Sequence, residues 1–483
     1  MPCYKYKIET ADFLSIFAAF ENESGSILFD SADLGHKDAN FSYAAILPDQ
    51  ILTSKGHTIT VTEIKNGQTR SLKGEPFDIL RRMYEAFKQT CHYTTEVTYG
   101  EQTAATFTGG MAGLFSYDLA RSLENIPHHI ADNNALPDIA VGFYSAVLTC
   151  NRKTNEINAF IHAADKSKAD EKFHQIDTHI KNAPHPKTAQ HSPLLSWRHD
   201  RKSSAYMQDI ERVIEYILEG DIFQANLAQG FEADLPQDFK PFDHYRALRR
   251  GNPAPFAGYM RFDDLIISSA SPERFLMIDK NGKVETCPIK GTIARNPTNE
   301  EKDKNAQQKL LNSEKDRAEN IMIVDLLRND LSKCCTPESV EVTDLCKLES
   351  FTDIHHLVSR VQGKLKAGKD AIDLLQSCFP GGSITGAPKI RAMEIIEELE
   401  HKRRGPYCGA MAYFDFSGHM DSNILIRTMT FHQNMVRFQT GGGITAKSNP
   451  QDEYDETLDK AASLFGSFTD SSHTQRNKKA AKK

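Results

Sequence analysis

The sequence lacks any arrangement of cysteine that would make a scaffold or a metal site. Its nine cysteines are odd in number and, apart from the neighbours Cys334 and Cys335, scattered. With no Cys-x-x-Cys pair, neither a disulfide framework nor a structural zinc is indicated, and a reducing, cytoplasmic setting is expected. Long apolar runs are also missing. No window approaches eighteen unbroken apolar residues, and residues 1–20 carry no basic-then-apolar leader pattern, so no membrane span or targeting segment is expected. Positive charge is in deficit: the formal net charge is -7, which argues against a nucleic-acid partner. The one basic run, 477–483, reads as a solvated, disordered tail. A Walker loop is absent too, because Gly386 is followed by Ala387 and not by lysine with serine or threonine. That removes the nucleotide-binding reading.

What is present, over 483 residues, is enough apolar and charged material for one large or two ordinary soluble domains. In residues 1–165, the segments 25–29 and 42–47 alternate as strands and 77–90 repeats as a helix. Glycines at 109, 110 and 113 let a strand pack closely on another backbone. Residues 165–182 are charged and helical, and the proline-bearing stretch 184–193 reads as a linker. Beyond it, Ser203 or Ser204 can cap a helix whose Tyr206, Ile210, Val213, Ile214, Ile217 and Leu218 keep helical spacing until Gly220. The chain thus divides into 1–165, a helix and linker over 166–200, a second region over 201–468, and the tail 469–483.

Residues able to do chemistry concentrate in the second region. Lys290 stands two residues after Pro288 and directly before Gly291; the proline fixes the local backbone and the glycine permits close approach to a ligand. Read as a strand, 221–229 puts Phe223, Ala225 and Leu227 on one face and Gln224, Asn226 and Ala228 on the other, so two amides point together, into solvent or into a cavity. Glu273 lies at a bend between strands at 265–269 and 275–278, either as a partner for Arg274 or as a site carboxylate. A helical stretch over 300–331 places Asp316 and Glu319 on one face. A helix opened by Asn449 and Pro450 does the same for Glu453 and Glu456, with Lys460 one turn beyond. Such carboxylates are either acidic helix surface or what a hard, oxygen-preferring cation such as Mg²⁺ requires. The glycine-rich loop 379–389 leads into a helix starting near Pro388 and running through Ile390, Met393, Ile396 and Leu399, and that N-terminus offers amides to a phosphate or carboxylate. A second run, Gly441, Gly442 and Gly443, follows a predicted strand. Of His355 and His356, which point in different directions, a chelate is not expected and one core-packed ring is.

Six segments, 220–229, 271–275, 288–292, 316–330, 379–393 and 441–460, agree in order with the chorismate-utilising enzymes, which the chain resembles throughout 220–465 and in weaker pieces before it. The resemblance implies an α/β (α+β) fold with two large, mostly antiparallel β-sheets packed as a sandwich and helices outside. It makes 1–165 an anthranilate-synthase-like region and 201–468 the chorismate-binding catalytic region. The Pro-Ile-Lys-Gly-Thr string at 288–292 is similar to the aminodeoxychorismate synthase branch, since anthranilate synthases have alanine where this chain has Lys290. That branch implies an amino-group transferase turning chorismate and ammonia into 4-amino-4-deoxychorismate, toward 4-aminobenzoate and folate, through a covalent bond to Lys290. Glu273 then matches the general acid for the leaving hydroxyl, and His356 an active-site histidine that positions substrate. Glu319 and Glu456 match the Mg²⁺ ligands, with Asp316 and Glu453 behind them. Thr292, Ser383, Tyr407, Arg427, Lys460 and the backbone of Gly441, Gly442 and Gly443 match positions around the substrate and its carboxylates. Gln224 stands where water-using relatives carry lysine, which favours ammonia as nucleophile, whereas Tyr407 is similar to the anthranilate enzymes. Residues 28–31 resemble a segment lining a tryptophan pocket in relatives, which singles out Ser31. No Gly-x-Cys-x-Gly turn of a glutamine amidotransferase occurs, so a separate glutaminase subunit is expected to supply ammonia. Two alternatives stay open: an anthranilate synthase large subunit and a non-catalytic, anion-binding regulatory subunit. Retention of Lys290, Glu273, His356 and both acidic pairs speaks against the second.

Overall fold

The computed structural model describes residues 2–9, 12–91, 105–132, 135–183, 193–296, 299–350 and 354–468. The expected tail and all but the last residue of the expected linker lie outside them. The described strands form two twelve-stranded sheets, packed as the expected sandwich with helices outside, and their pairings are antiparallel. Strands from 1–165 and from 201–468 interleave in both sheets. Ser26–Asp30 pairs with Phe256–Phe262 in one, and Gly110–Phe115 with Ala410–Asp415 in the other. The segments read at 25–29, 42–47 and 77–90 are the strands Ser26–Asp30 and Phe41–Ala45 and the helix Pro76–Thr90. Tight packing at the glycine-rich strand is borne out, since a Cβ on Gly110 would lie 2.0 Å from the Phe414 carbonyl oxygen.

The sheet faces meet through Ile27, Tyr43, Met260 and Ile267 on one side and Leu114, Met411 and Tyr413 on the other, all buried. The two tyrosine hydroxyls are satisfied at Thr106 Oγ1, at 3.0 and 2.7 Å. Each such side chain contributes about 1.5–3 kcal/mol by leaving water. This seam sets the spacing of the two sheets, and therefore of the residues they carry toward one another.

The site is built on helix α1 (Ser203–Leu218), strands β1 (Gln224–Asp234), β2 (Arg274–Ile278) and β3 (Ile289–Ala294), helices α2 (Glu300–Leu311) and α3 (Glu314–Cys334), strand β4 (Ile354–Lys364), helix α4 (Lys389–Leu399), strand β5 (Met435–Ile444) and helix α5 (Pro450–Gly466). Strands β1 and β5 belong to one sheet and β2, β3 and β4 to the other.

Several local expectations are corrected. The N-cap of α1 is Lys202, with no side-chain cap, and Leu218 is 74% exposed at the helix end, off the apolar stripe. Strand β1 begins at Gln224, which leaves Phe223 70% exposed instead of beside Ala225 and Leu227. The stretch 300–331 is two helices, because Asn312 and Ser313 favour caps over helix interior and Ser313 Oγ accepts the Asp316 amide at 3.3 Å. Gly441, Gly442 and Gly443 lie within β5, not after it, opposite Ala228, Leu227 and Asn226. Helix α5 opens as expected, with the Asn449 side chain accepting the amides of Gln451 and Asp452.

Candidate active site

Lys290 is aimed by a bulge. In the β3–β4 ladder Lys290 faces Leu357 and Thr292 faces His356, so the register slips by one residue at Gly291, whose φ is +81°. A bulge bends its strand and re-aims the side chains beside it, and glycine takes this φ without strain. A Cβ at 291 would also lie 2.9 Å from Asp316 Cβ and 3.1 Å from Leu310 Cδ1, so the bulge seats β3 on α2 and α3. Gly291→Ala is therefore expected to cost about 1–3 kcal/mol, read as a shift in urea unfolding. An unshifted midpoint would mean that the bulge tolerates a side chain.

From this bulge the Lys290 ammonium donates to the Ser383 carbonyl at 3.1 Å. Glu273 sits at the bend before β2, buried, and its Oε1 accepts the Ser383 hydroxyl at 2.7 Å. Burial pushes its carboxyl up to about 7, against the opposing pull of the Ser383 hydroxyl, the Lys290 charge and the Ile289 amide. Arg274 turns the other way, onto Asp421 at 3.0 Å, so Glu273 is not its ion-pair partner. His356, also buried, has Nδ1 2.8 Å from Thr292 Oγ1, and burial with the nearby Arg427 charge lowers it to about 3, leaving a neutral ring. His355 is the core histidine, held by Ser350 at 2.7 Å and Asp303 at 3.1 Å.

Across from Lys290, β5 presents an open edge. Asn226 and Ala228 send their amides to Thr385 O and Glu400 Oε1, away from β5. Successive residues of an antiparallel strand alternate their hydrogen-bonding side. Leu227 and Gly442 therefore carry the ladder bonds, while Gly441 and Gly443 turn their amides outward, where β5 has no strand partner beyond Phe438. Lys460 from α5 donates to the Gly441 carbonyl on that edge at 2.8 Å. Gln224 and Asn226 are buried, with Oε1 and Oδ1 lacking a partner among the described residues. A Cβ on Gly443 would collide with Gln224 Nε2 at 2.0 Å and stand 3.5 Å from Glu319 Oε2. Arg427 adds an uncompensated charge: among the described residues its guanidinium makes no hydrogen bond or ion pair, and burial pulls its pKa down. An unpaired, desolvated guanidinium and outward-facing amides are groups of the kind that can receive a carboxylate.

Carboxylates approach the same edge. Glu319 makes no hydrogen bond or ion pair among the described residues, and burial raises its pKa although Lys290 and Lys315 pull against it. Glu456 pairs with Lys460 at 2.7 Å, and a Cβ on Gly442 would lie 4.0 Å from its Oε1. Glu453 is satisfied by Lys315 at 2.8 Å and Ser448 at 2.6 Å, and Asp316 packs against Gly291. Among the described residues no three His, Cys, Asp or Glu side chains converge into a closed metal cage. The set nevertheless fits Mg²⁺, which is commonly held by one or two carboxylates with substrate and water completing its shell. Glu319, largely desolvated and with no ion pair among the described residues, is the group with the most to gain from a cation.

Elsewhere, Tyr407 is buried and lines a cavity of about 50 Å³ with Thr428 and Gln439. Ser31 lines another, of about 500 Å³, with Tyr43, Phe256, Met411 and Asp421, and its hydroxyl donates to the Phe41 carbonyl at 2.7 Å. Lys389 escaped the sequence reading. It occupies the first turn of α4, where a cation opposes the helix dipole, and that misplacement was the available signal. Its ammonium meets Asp330 Oδ2 at 2.6 Å, Pro380 O at 2.9 Å and Cys378 O at 3.0 Å, so this N-terminus holds a lysine where an anion was expected.

Residues 48–466 match the model of the chorismate binding enzyme family. Over 445 residues the chain is 38% identical to aminodeoxychorismate synthase component 1 of Klebsiella aerogenes, covering 92% of this chain and 94% of that protein. Over 476 residues it is 34% identical to anthranilate synthase component 1 of Acetivibrio thermocellus, covering 94% and 92%. The crystal structure of anthranilate synthase component I from Streptococcus pneumoniae TIGR4 superposes with a TM-score of 0.76 at 31% identity, covering 88% of this chain and 92% of that one.

Proposed function

The chain belongs to the chorismate binding enzymes, and from that premise we propose that it replaces the carbon-4 hydroxyl of chorismate by an amino group, through a transient bond between substrate and Lys290. The observation that carries the reading is an amine and a near-neutral carboxyl held by one residue, Ser383.

Chorismate is a dianion, and Arg427 with the outward amides of Gly441 and Gly443 takes its carboxylates, while Thr292 and the neutral His356 bound the ring. With Lys290 as the free amine, its ammonium proton having gone to solvent, its nitrogen bonds to carbon 2, the ring double bond shifts, and the carbon 4–oxygen bond breaks as Glu273 gives its proton to the departing hydroxyl. Water leaves, and the adduct nitrogen keeps its two protons and its charge. Ammonia then bonds to carbon 4, the double bond shifts back, and the carbon 2–nitrogen bond breaks with its electron pair returning to Lys290. The new ammonium gives one proton to the Glu273 carboxylate, which restores the acid. Gln224, buried beside Glu319, lines the approach of ammonia without offering a base to activate water. Glu319 and Glu456 would hold Mg²⁺, with Asp316 and Glu453 flanking them; bound there it supplies positive charge to a substrate carboxylate.

The ammonia is delivered by a separate glutamine amidotransferase subunit, a reading supported by the "component 1" names of relatives. The cavity at Ser31 is the counterpart of the relatives' tryptophan pocket, its apolar lining supplemented by the carboxylates of Asp38 and Asp421.

The direct test is chromatography of products from chorismate, ammonium and Mg²⁺. The expected product is 4-amino-4-deoxychorismate, giving 4-aminobenzoate only when a lyase is added. The specific rival is anthranilate synthesis, favoured by Tyr407 and by relatives such as that of Acetivibrio thermocellus; anthranilate released without a lyase would establish it. Glu456→Gln is expected to weaken both Mg²⁺ activation and chorismate binding by about 10–100-fold, in metal and substrate titrations. An unchanged metal response would remove Glu456 from the ligand set.

A further inference from the structure

We propose that Ser383 is a positioning residue that ties the acid and the amine of the site together through one rigid loop, and not a ligand of the substrate. The inference rests on the amination reading above. The Ser383 hydroxyl donates to Glu273 Oε1 at 2.7 Å and its carbonyl accepts from Lys290 Nζ at 3.1 Å. A substrate carboxylate needs donors, and a serine hydroxyl has a single proton to give, already committed to Glu273. What the residue can do is set the separation of the group that attacks from the group that protonates the leaving oxygen.

The loop is locked for that task. Lys389, at the far end of the loop, places the three N–H donors of its ammonium on the Cys378 and Pro380 carbonyls at the near end and on the fully buried Asp330, fastening the two ends together. Arg404 Nη1 holds the Ile384 carbonyl at 2.8 Å, and the Thr385 hydroxyl turns back on Gly381 O at 3.0 Å. Beyond Thr385, Gly386–Ala387 pairs with β1. Ile384 and Gly386–Ala387 are thereby held from outside the loop and Thr385 from within it, the kind of outer support that keeps reacting groups within a few tenths of an ångström.

The groups facing Glu273 are the Lys290 ammonium and Ile289 amide from β3, the Ser383 hydroxyl, and the Cys408 thiol, which burial pushes up to about 12 and keeps neutral. Of these, the Ser383 hydroxyl is the one that a point substitution removes without touching the Lys290 hold, because that hold uses the main chain.

The experiment compares Ser383→Ala and Ser383→Thr with the wild type in kcat, KM and the pH profile of kcat/KM, with chorismate, ammonium and Mg²⁺. Loss of one charge-assisted hydrogen bond to the ionised acid is expected to move the basic limb up by about one pH unit and lower kcat about tenfold in Ser383→Ala. The chorismate KM should change less than about threefold, and Ser383→Thr should restore the limb. An unmoved limb with a KM raised more than about tenfold would make Ser383 a substrate ligand and overturn the proposal. Unchanged kcat and limb would overturn it as well. Should Ser383→Ala fail to fold, Ser383→Cys, a weaker donor of similar size, reads the same limb. In a Glu273→Gln background Ser383→Ala should leave the profile alone. If Glu273→Gln itself leaves the wild-type limb in place, the assignment of Glu273 as the acid fails, a result distinct from failure at Ser383.

Discussion

Lys290→Ala should lower amination of chorismate by a factor on the order of 10⁴, the scale seen when a covalent nucleophile is removed from a group that acts as a unit. The loss should fall on kcat more than on KM, since chorismate's carboxylates are taken by Arg427 and the β5 edge, neither of which depends on the lysine. Stability should hardly change. Among the described residues Lys290 makes a single side-chain hydrogen bond, to the Ser383 carbonyl, and the bulge that aims it is maintained by Gly291 and the β3–β4 ladder. Product chromatography with a parallel denaturant titration separates these effects. A variant that retains wild-type turnover would remove the covalent role, and one that loses rate only through unfolding would make Lys290 structural.

Glu273→Gln is the second large effect, and it carries a pH signature. An amide cannot give a proton to a leaving hydroxyl, so a loss of about 10²–10⁴-fold in kcat is expected. In the wild type, kcat/KM should fall above pH about 7 as Glu273 ionises, and that limb should vanish in the variant. Stability follows the same group. Its folded-state pKa is raised, from 4.5 to about 7, chiefly by burial. The neutral carboxyl's contribution is therefore complete below about pH 4.5 and is lost as pH rises through about 7, at most about 3 kcal/mol over that window. Glu273→Gln should flatten this part of the stability profile and, above pH 7, unfold later than the wild type. A basic limb that persists in the variant would assign it to another group.

The parts of this site that the sequence made legible share a physical character. The carboxylate pairs on α3 and α5 were readable because three residues of helical spacing put two side chains on one face whatever the tertiary context. The Asn449 cap was readable because its hydrogen bonds stay within four residues. The sandwich itself came from resemblance, since alternation marks a strand but says nothing of its neighbour. The failures are equally particular. Gly441 to Gly443 are expected to follow a strand and not to lie in it, since glycine is a poor strand former, yet pairing with β1 and the close approach of Gln224 and Glu319 override that preference. The register slip at Gly291 depends on what lies across the ladder, and the tie from Ser383 to Glu273 spans 110 residues. The near-neutral carboxyl at 273 depends on burial, which no local pattern around a bend reports.

The central claim is that the Lys290 side chain becomes bonded to the ring that it transforms. Mass spectrometry of protein quenched with acid during confirmed turnover tests it most directly. The account predicts a peptide containing Lys290 that is heavier by one chorismate less one water, absent when chorismate is withheld and absent from Lys290→Ala. Turnover at full rate with that peptide always unmodified would contradict it.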